Sequence, residues 1–302
     1  MSFIIPCYKE PLEQFTMAVD SVIKQTYKNL EIILILDNPQ NEELAAKAKE
    51  YVTLDERVRF YQNGKNLGLV GTLNKAIRLA SGELIARLDS DDYAKPERIA
   101  TQVQFFPEYD IVSSNFAFMN ADNEIVRHRK FPIEDGEIKE HLINIEDCMY
   151  HVTWLLKKSV YYQLGFYRDI GPFEDYDFLL RAAKRNFKMY NIPDELTLYR
   201  ISVGGISSTN NVRQHLGSEY LRANYADIEG ITKEDIANYL VSPIGKEHAQ
   251  AYKTFYKYKE KIMQSRGRCQ YYFRLLCYGT YLAFINYYGR KKILAFARMM
   301  KF

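Results

Sequence analysis

Three carboxylates fall within four residues at Asp89-Ser90-Asp91-Asp92. Like charges this close repel unless a cation or hydrogen-bond donors answer them. Mg²⁺ and Mn²⁺ are hard, oxygen-seeking ions, commonly held by one or two carboxylates together with substrate phosphates. The plainer reading is a solvated turn with a helix cap ahead of Pro96, because Asp is favoured in both settings. A second acidic group, Glu174-Asp175-Tyr176-Asp177, follows Gly171-Pro172-Phe173 and opens a helix. It reads either as N-terminal capping that complements the helix dipole or as a general base presented by a rigid helix start. Asp37, behind the apolar run Glu31–Leu36, suits hydrogen bonding to a base or ribose, or an Asx turn before Pro39. Tyr199-Arg200 reads as a strand end with a surface ion pair, or as a diphosphate contact through Arg200. His151 and Trp154 are an isolated His and the single Trp, residues more often structural than catalytic.

These groups need a scaffold, and the first hundred residues describe one. Phe3-Ile4-Ile5, Glu31–Leu36, Val58–Tyr61 and Leu84–Leu88 are short apolar runs that predict buried strands. Between them Leu12, Phe15, Val19, Val22 and Ile23 fall at helical spacing, and helices are also predicted over 42–51 and 72–79. Strand and helix alternating at this pitch imply a parallel, doubly wound sheet, which binds ligands beyond the carboxyl ends of its strands. Pro6 to Glu10, Asp37-Asn38, Gly64 to Gly68 and Asp89 to Asp92 all sit at such ends. Gly64, Gly68 and Gly71 follow the third strand with spacing G-x3-G-x2-G. The dinucleotide fingerprint requires G-x-G-x-x-G after the first, so that motif is excluded. Beyond Pro107 the alternation weakens through 110–114 and 125–131, then resumes with a helix at 175–184 and a strand near 196–201.

The chain has 302 residues, 47% hydrophobic and 26% charged, which excludes global disorder. Its four cysteines are scattered, without a C-x-x-C pair, which argues against a disulfide scaffold or structural zinc. Met1 to Pro6 lack a basic n-region and a long apolar run, so a cytosolic protein is expected. The net charge of +3 conceals an asymmetry: residues 246–302 carry 13 Lys/Arg against Glu247 and Glu260, leaving residues 1–245 at −8. Leu275–Gly289 is uncharged but as a helix would reach only about 22 Å, short of a bilayer core of about 30 Å. Basic residues mixed with Tyr and Phe in 266–302 suit an interfacial helix on an anionic membrane. The rival is a helical hairpin packed on the protein or on a second subunit, as in a homodimer. Nucleic acid is not expected as a partner, since the acidic body offers no continuing basic groove.

Taken in order, Phe3-Ile4-Ile5-Pro6-Cys7-Tyr8-Lys9-Glu10, Asp20 to Tyr27, Glu31–Asp37, Asn66-Leu67-Gly68-Leu69, Ser81-Gly82-Glu83, Leu88-Asp89-Ser90-Asp91-Asp92, Gly165-Phe166-Tyr167, Glu174-Asp175-Tyr176-Asp177 with Arg181, and Tyr199-Arg200 resemble a family 2 glycosyltransferase. The resemblance covers about residues 2–208 and extends to bacterial capsule and O-antigen enzymes. It implies the GT-A fold, a Rossmann-like, mostly parallel α/β sheet flanked by helices. A catalytic domain over 1–215, with halves 1–107 and 108–215, would precede a helical C-terminal region over 216–302. It further implies that Pro6, Tyr8 and Glu10 line the nucleotide pocket and that Asp37 bonds the base, usually uracil. Lys65 or Asn66 would sit near the nucleotide, Asp89 near the ribose, and Asp91 would hold Mn²⁺ or Mg²⁺. Asp175 would be the catalytic base, with Glu174, His151, Trp154 and Arg200 as further donor or acceptor contacts.

The chemistry expected is inverting transfer of a sugar from a nucleotide-diphosphate donor, chiefly a UDP-sugar, to a glycan or lipid-linked acceptor at the inner face of the plasma membrane. Two departures stand out. Leu36 and Asn38-Pro39 replace parts of the usual Asp-Asp-Gly-Ser, and Ser202 stands where many members carry a His. Two rival readings keep the sheet: nucleotidyl transfer to a sugar phosphate, and a non-catalytic module that binds sugar nucleotides or glycans. The first lacks a Gly- and Arg-rich triphosphate loop near the N-terminus, and the second must explain intact Asp91 and Asp175.

Overall fold

A computed structural model describes residues 1–201 and 211–263, together with 277, 278, 280–284, 286 and 289. The chain divides into two compact units, Met1–Asp169 with Glu174–Gly205, and Ile170–Phe173 with Ile206–Phe302. The first unit begins β1 (Ser2–Cys7), α1 (Leu12–Ile23), β2 (Glu31–Leu36), α2 (Glu42–Leu54), β3 (Val58–Gln62), α3 (Gly68–Leu79) and β4 (Leu84–Arg87). It continues with β5 (Tyr93–Ala94), α4 (Arg98–Gln102), β6 (Ile111–Met119), β7 (Ile125–Arg129), α5 (Asp135–Asn144), β8 (Leu155–Lys157), α6 (Lys158–Leu164), α7 (Glu174–Lys184) and β9 (Met189–Arg200).

These strands form one nine-stranded sheet in the order β3-β2-β1-β4-β8-β6-β9-β5, with β7 paired to β6. The four expected strands lie side by side and parallel. All of β1 and nearly all of β2 are buried, which is why they read as continuous apolar runs rather than alternating ones. Phe15, Val19 and Val22 of α1 and Leu44, Ala48 and Tyr51 of α2 pack on Phe3, Ile5, Ile32 and Leu34. Gly82 passes so close to the N-terminus that a Cβ there would lie 2.5 Å from the Met1 backbone. β8 runs antiparallel between β4 and β6, and β9 runs parallel to β6.

β6 is buried along its whole length although Ser113, Ser114 and Asn115 interrupt its apolar pattern. Their polar groups are met inside the protein: Ser113 bonds the Thr153 hydroxyl, and the Asn115 amide donates to the Pro193 carbonyl over 2.7 Å. Pro193 lies where the β6–β9 register slips, at a bulge that accommodates its missing N–H.

The second unit contains α8 (Asn211–Ala223), α9 (Lys233–Val241) and α10 (Pro243–Met263). Thr232 and Asp235 form a capping box at the start of α9. The expected boundary at 215 falls inside α8, and the compositional change at Gly245 falls inside α10. Neither is a break in the backbone, because charge can change along a helix without interrupting it. Residues 266–302, read as an interfacial helix, lie largely outside the described residues, as does Ser202. Among the described residues no helix is long and apolar enough to cross a membrane.

Candidate active site

The carboxyl ends of the first four strands carry the polar clusters, and one proline helps separate them. β4 pairs with β1 only from Ser2 to Ile4. Pro6 comes just after, so its missing N–H costs no ladder bond where β4 departs from β1. Pro6 itself is buried within β1. Tyr8 is exposed, and its backbone N–H donates to the Glu10 carboxylate over 2.7 Å, folding this loop on itself.

Asp37 is buried, and its Oδ1 accepts hydrogen bonds of 2.8 Å from both the Asn63 amide and the Leu67 backbone N–H. Asn63 also donates to Thr72 and receives 2.7 Å from the Lys75 ammonium. The carboxylate after β2 thus fixes the loop after β3. Lys65 and Asn66 are exposed on that loop, and Asn66 accepts from the Gly68 N–H at the start of α3.

After β4, Asp89 is paired with Arg87, a buried residue the sequence reading missed. Its signal was a charged residue inside the apolar run Leu84–Leu88. Burial opposes the Arg87 charge, but Asp89, Glu174 and Asp175 (with the Tyr167 phenol) outweigh it and raise its pKa. Asp92 is buried and accepts the Arg200 backbone N–H over 2.7 Å. The Arg200 side chain is also buried and bonds the Asp91 carbonyl over 2.8 Å. Its remaining nitrogens meet the Asn120 carbonyl, Asn123 Oδ1 and Met17 Sδ. Arg200 is therefore engaged within the protein through its backbone and every side-chain nitrogen.

At the start of α7, Asp177 is fully buried between Arg168 and Arg181, a structural pairing. Glu174 and Asp175 remain. Burial, reinforced by the Asp175 charge, pushes the Glu174 pKa up to about 8. Burial also raises Asp175, opposed by a hydrogen bond of 2.7 Å from the Tyr176 N–H and by the Arg87 charge. Asp147, another residue missed in sequence, is raised by burial and then by the Asp175 charge. Burial thus raises both adjacent carboxyls, and Asp175 alone of the two has the Tyr176 N–H bonded to it.

His151 and Trp154 both lie in the interior. His151 is buried, shares a 2.6 Å hydrogen bond with the Tyr167 hydroxyl and packs at a tilt against the Trp154 ring, 4.5 Å between centroids. Burial, helped by Arg87, drives its pKa well below the ordinary value, so the ring is neutral. Trp154 is fully buried and donates to the Met149 carbonyl over 2.7 Å. Both belong to the core, as an isolated His and a large aromatic commonly do.

Among the described residues no three His, Cys, Asp or Glu side chains form a metal cage of their own. The donor set nevertheless fits a cation that borrows ligands from phosphates. Asp89 and Asp91 supply hard oxygens after β4, and the buried Asp92 Oδ2 lacks a hydrogen-bond partner. Burial, joined by the charges of Asp91, Glu10 and Asp175 and opposed by Arg87, raises Asp89 to about 6. A divalent ion relieves such a concentration of negative charge.

A cleft of about 900 Å³ lies elsewhere, at the opposite end of β4, lined by Glu83, Phe106, Lys157 and Tyr162 among others. Its lysines are already engaged, Lys157 by Asp110 and Lys158 by the Ala80 carbonyl. The carboxylate clusters lie at the other end, beyond the carboxyl ends of the strands.

The sequence pattern of Glycosyl transferase family 2 matches residues 2–165. The chain belongs to this family. An uncharacterized glycosyltransferase of Methanocaldococcus jannaschii is 30% identical over 205 residues, 67% of this chain and 70% of that one. The O-antigen biosynthesis glycosyltransferase WbnJ of Escherichia coli is 28% identical over 229 residues, 74% and 86% of the two chains. Two solved structures share the fold at 15% identity. TarS 1–349 of S. aureus in complex with UDP-GlcNAc superposes with a TM-score of 0.59, covering 94% of this chain and 81% of that one. The mannosyltransferase PcManGT from Pyrobaculum calidifontis, in complex with GDP-Man and Mn²⁺, also gives 0.59, covering 97% and 82%. The architecture is the GT-A glycosyltransferase fold, and the family 2 resemblance read from the motifs holds.

Proposed function

We propose that this family 2 glycosyltransferase is a metal-dependent, inverting enzyme that transfers a sugar from a nucleoside-diphosphate donor, a UDP-sugar foremost, to a glycan or lipid-linked acceptor in surface polysaccharide assembly. The observation that carries the reading is the approach of Glu10 and Asp89, in the loops after β1 and β4, to Asp175 at the start of α7. Both Glu10 and Asp175 act electrostatically on Asp89. Donor phosphates and a base must meet at such a place.

Asp37 Oδ1 is committed to its loop, and no described residue donates to Oδ2, which leaves that oxygen for a base N–H. Tyr8, exposed at the end of β1, offers a ring face to the nucleotide. Asp89 lies at the ribose side, and Asp91 with donor phosphates would hold Mn²⁺ or Mg²⁺. A bound divalent ion would supply charge neutralisation at the departing diphosphate. Asp175, fixed at a helix start, takes the proton of the acceptor hydroxyl as that oxygen attacks the anomeric carbon. A single displacement assisted by one base inverts the anomeric centre.

On the acceptor side, the half-buried Tyr150 ring lies between those of Phe131 and Tyr199, 5.4 Å and 6.1 Å away between centroids. They support stacking of a sugar ring beside Asp147. Kinship with an O-antigen enzyme supports a role at the cell surface, and the basic, aromatic residues 266–302 support peripheral attachment to the inner, anionic face of the membrane. Nucleotidyl transfer is disfavoured by the family and by the absence of a triphosphate loop in the sequence.

Incubation with a panel of UDP- and GDP-sugars and simple glycoside acceptors tests the reading. Metal-dependent release of nucleoside diphosphate with formation of a new glycosidic bond of inverted configuration is expected. Retention of configuration would contradict it.

A further inference from the structure

We infer that Arg200 is a positioning residue that fixes the Asp91-Asp92 backbone and fastens it to the turn between β6 and β7. The inference rests on the proposal that Asp91 holds the donor's metal.

Arg200 ends β9 and is 4% exposed. Its backbone N–H meets Asp92 Oδ1 over 2.7 Å, and its Nε meets the Asp91 carbonyl over 2.8 Å. The other edge of the same guanidinium reaches the Asn120 carbonyl over 3.0 Å and Asn123 Oδ1 over 2.6 Å. One planar group therefore bonds the carboxylate loop on one side and the β6–β7 turn on the other. Only a guanidinium presents such a rigid fan of donors; a lysine ammonium offers them from a single point. Arg200 forms no ion pair within hydrogen-bonding reach among the described residues. Its burial is therefore met by carbonyl and amide oxygens whose positions it fixes in return.

The turn is built to hold its end of the clamp. Asn120 Oδ1 accepts the backbone N–H groups of Asp122 and Glu124 at 3.0 Å and 2.9 Å. Asn123 adopts φ +65°, a left-handed conformation that Asn tolerates better than most side chains. In parallel pairing, Met119 lies opposite Arg200, so the turn follows directly from the strand beside the clamp. A change at Asn123, which is itself exposed, should therefore be felt at Asp91. No direct contact with the metal or the nucleotide is needed.

The test measures Mn²⁺ affinity of the full chain with UDP present, by electron paramagnetic resonance of free Mn²⁺ and by melting temperature. Arg200→Gln should raise the half-saturating Mn²⁺ concentration about tenfold, the scale of one lost hydrogen bond to a charged group. Asn123→Gly keeps the left-handed backbone but removes the acceptor, and should raise it about threefold. Asn123→Asp restores an acceptor oxygen and should stay near wild type. UDP binding measured without metal should be unchanged in all three.

If Arg200→Gln fails to fold, the two Asn123 variants decide. Equal Mn²⁺ affinity in Asn123→Gly, Asn123→Asp and wild type overturns the inference while leaving the metal reading intact. A wild-type chain whose melting never responds to Mn²⁺ with UDP or GDP overturns the metal reading and this inference with it.

Discussion

The Asp37 carboxylate, just beyond β2, accepts a 2.8 Å hydrogen bond from the backbone N–H of Leu67, thirty residues later in the chain. One side chain thus serves the fold and, through its other oxygen, the proposed nucleotide site. The two tasks separate by substitution. Asp37→Asn retains an acceptor oxygen for Leu67 and should melt near wild type while binding UDP at least tenfold more weakly. Asp37→Ala leaves the Asn63 and Leu67 donors unpaired, a loss of about 1–3 kcal/mol, and should lower the melting temperature as well. Calorimetry with UDP and thermal unfolding of both variants check this pair of outcomes.

Asp175 should govern turnover rather than donor binding. Asp175→Asn is nearly isosteric and leaves an acceptor for the Tyr176 N–H. It is predicted to fold normally, bind donor normally and transfer sugar about 10²- to 10⁴-fold more slowly. Comparing donor affinity with single-turnover rates separates these effects. Unchanged turnover would remove Asp175 from the role of base.

Glu174 gives the metal-free protein a pH signature. Its pKa rises from 4.5 to about 8 on folding. The folded chain consequently holds that proton more tightly than the unfolded chain. The stability linked to it is complete below pH 4.5 and is lost as pH climbs through about 8. Asp89, raised to about 6, acts with the same sign. The melting temperature should therefore decline across this interval, less steeply in Glu174→Gln than in wild type. Parallel curves for the two proteins would contradict the assignment.

The sheet was legible where burial on both faces writes near-continuous apolar runs, as in β1 and β2. β6 and β9 were harder to read. Ser113, Ser114 and Asn115 look like loop residues until Thr153 and the Pro193 carbonyl are brought to them by the fold. Strand ends told which polar clusters lie near the crevice. They did not tell which side chains face it, because spacing cannot reveal a partner distant in sequence. Arg200 finds Asn123 and Asp91, and His151 finds Tyr167, only once the chain has folded.

The basic tail makes a separate prediction. The full chain should float with vesicles rich in anionic phosphatidylglycerol at low salt, remain free of neutral phosphatidylcholine vesicles, and be released as salt screens the charges. Failure to bind anionic vesicles at low salt would leave packing against protein as the function of residues 266–302.

Metal-dependent binding of a nucleoside diphosphate is read out by thermal unfolding with UDP, GDP, dTDP and CDP, each with Mn²⁺, Mg²⁺ or EDTA. A ligand that binds only the folded chain raises its melting temperature by mass action. The melting temperature should rise selectively with UDP and Mn²⁺, and the rise should be abolished by EDTA and by Asp91→Asn. A melting temperature indifferent to every nucleotide and metal combination would contradict it.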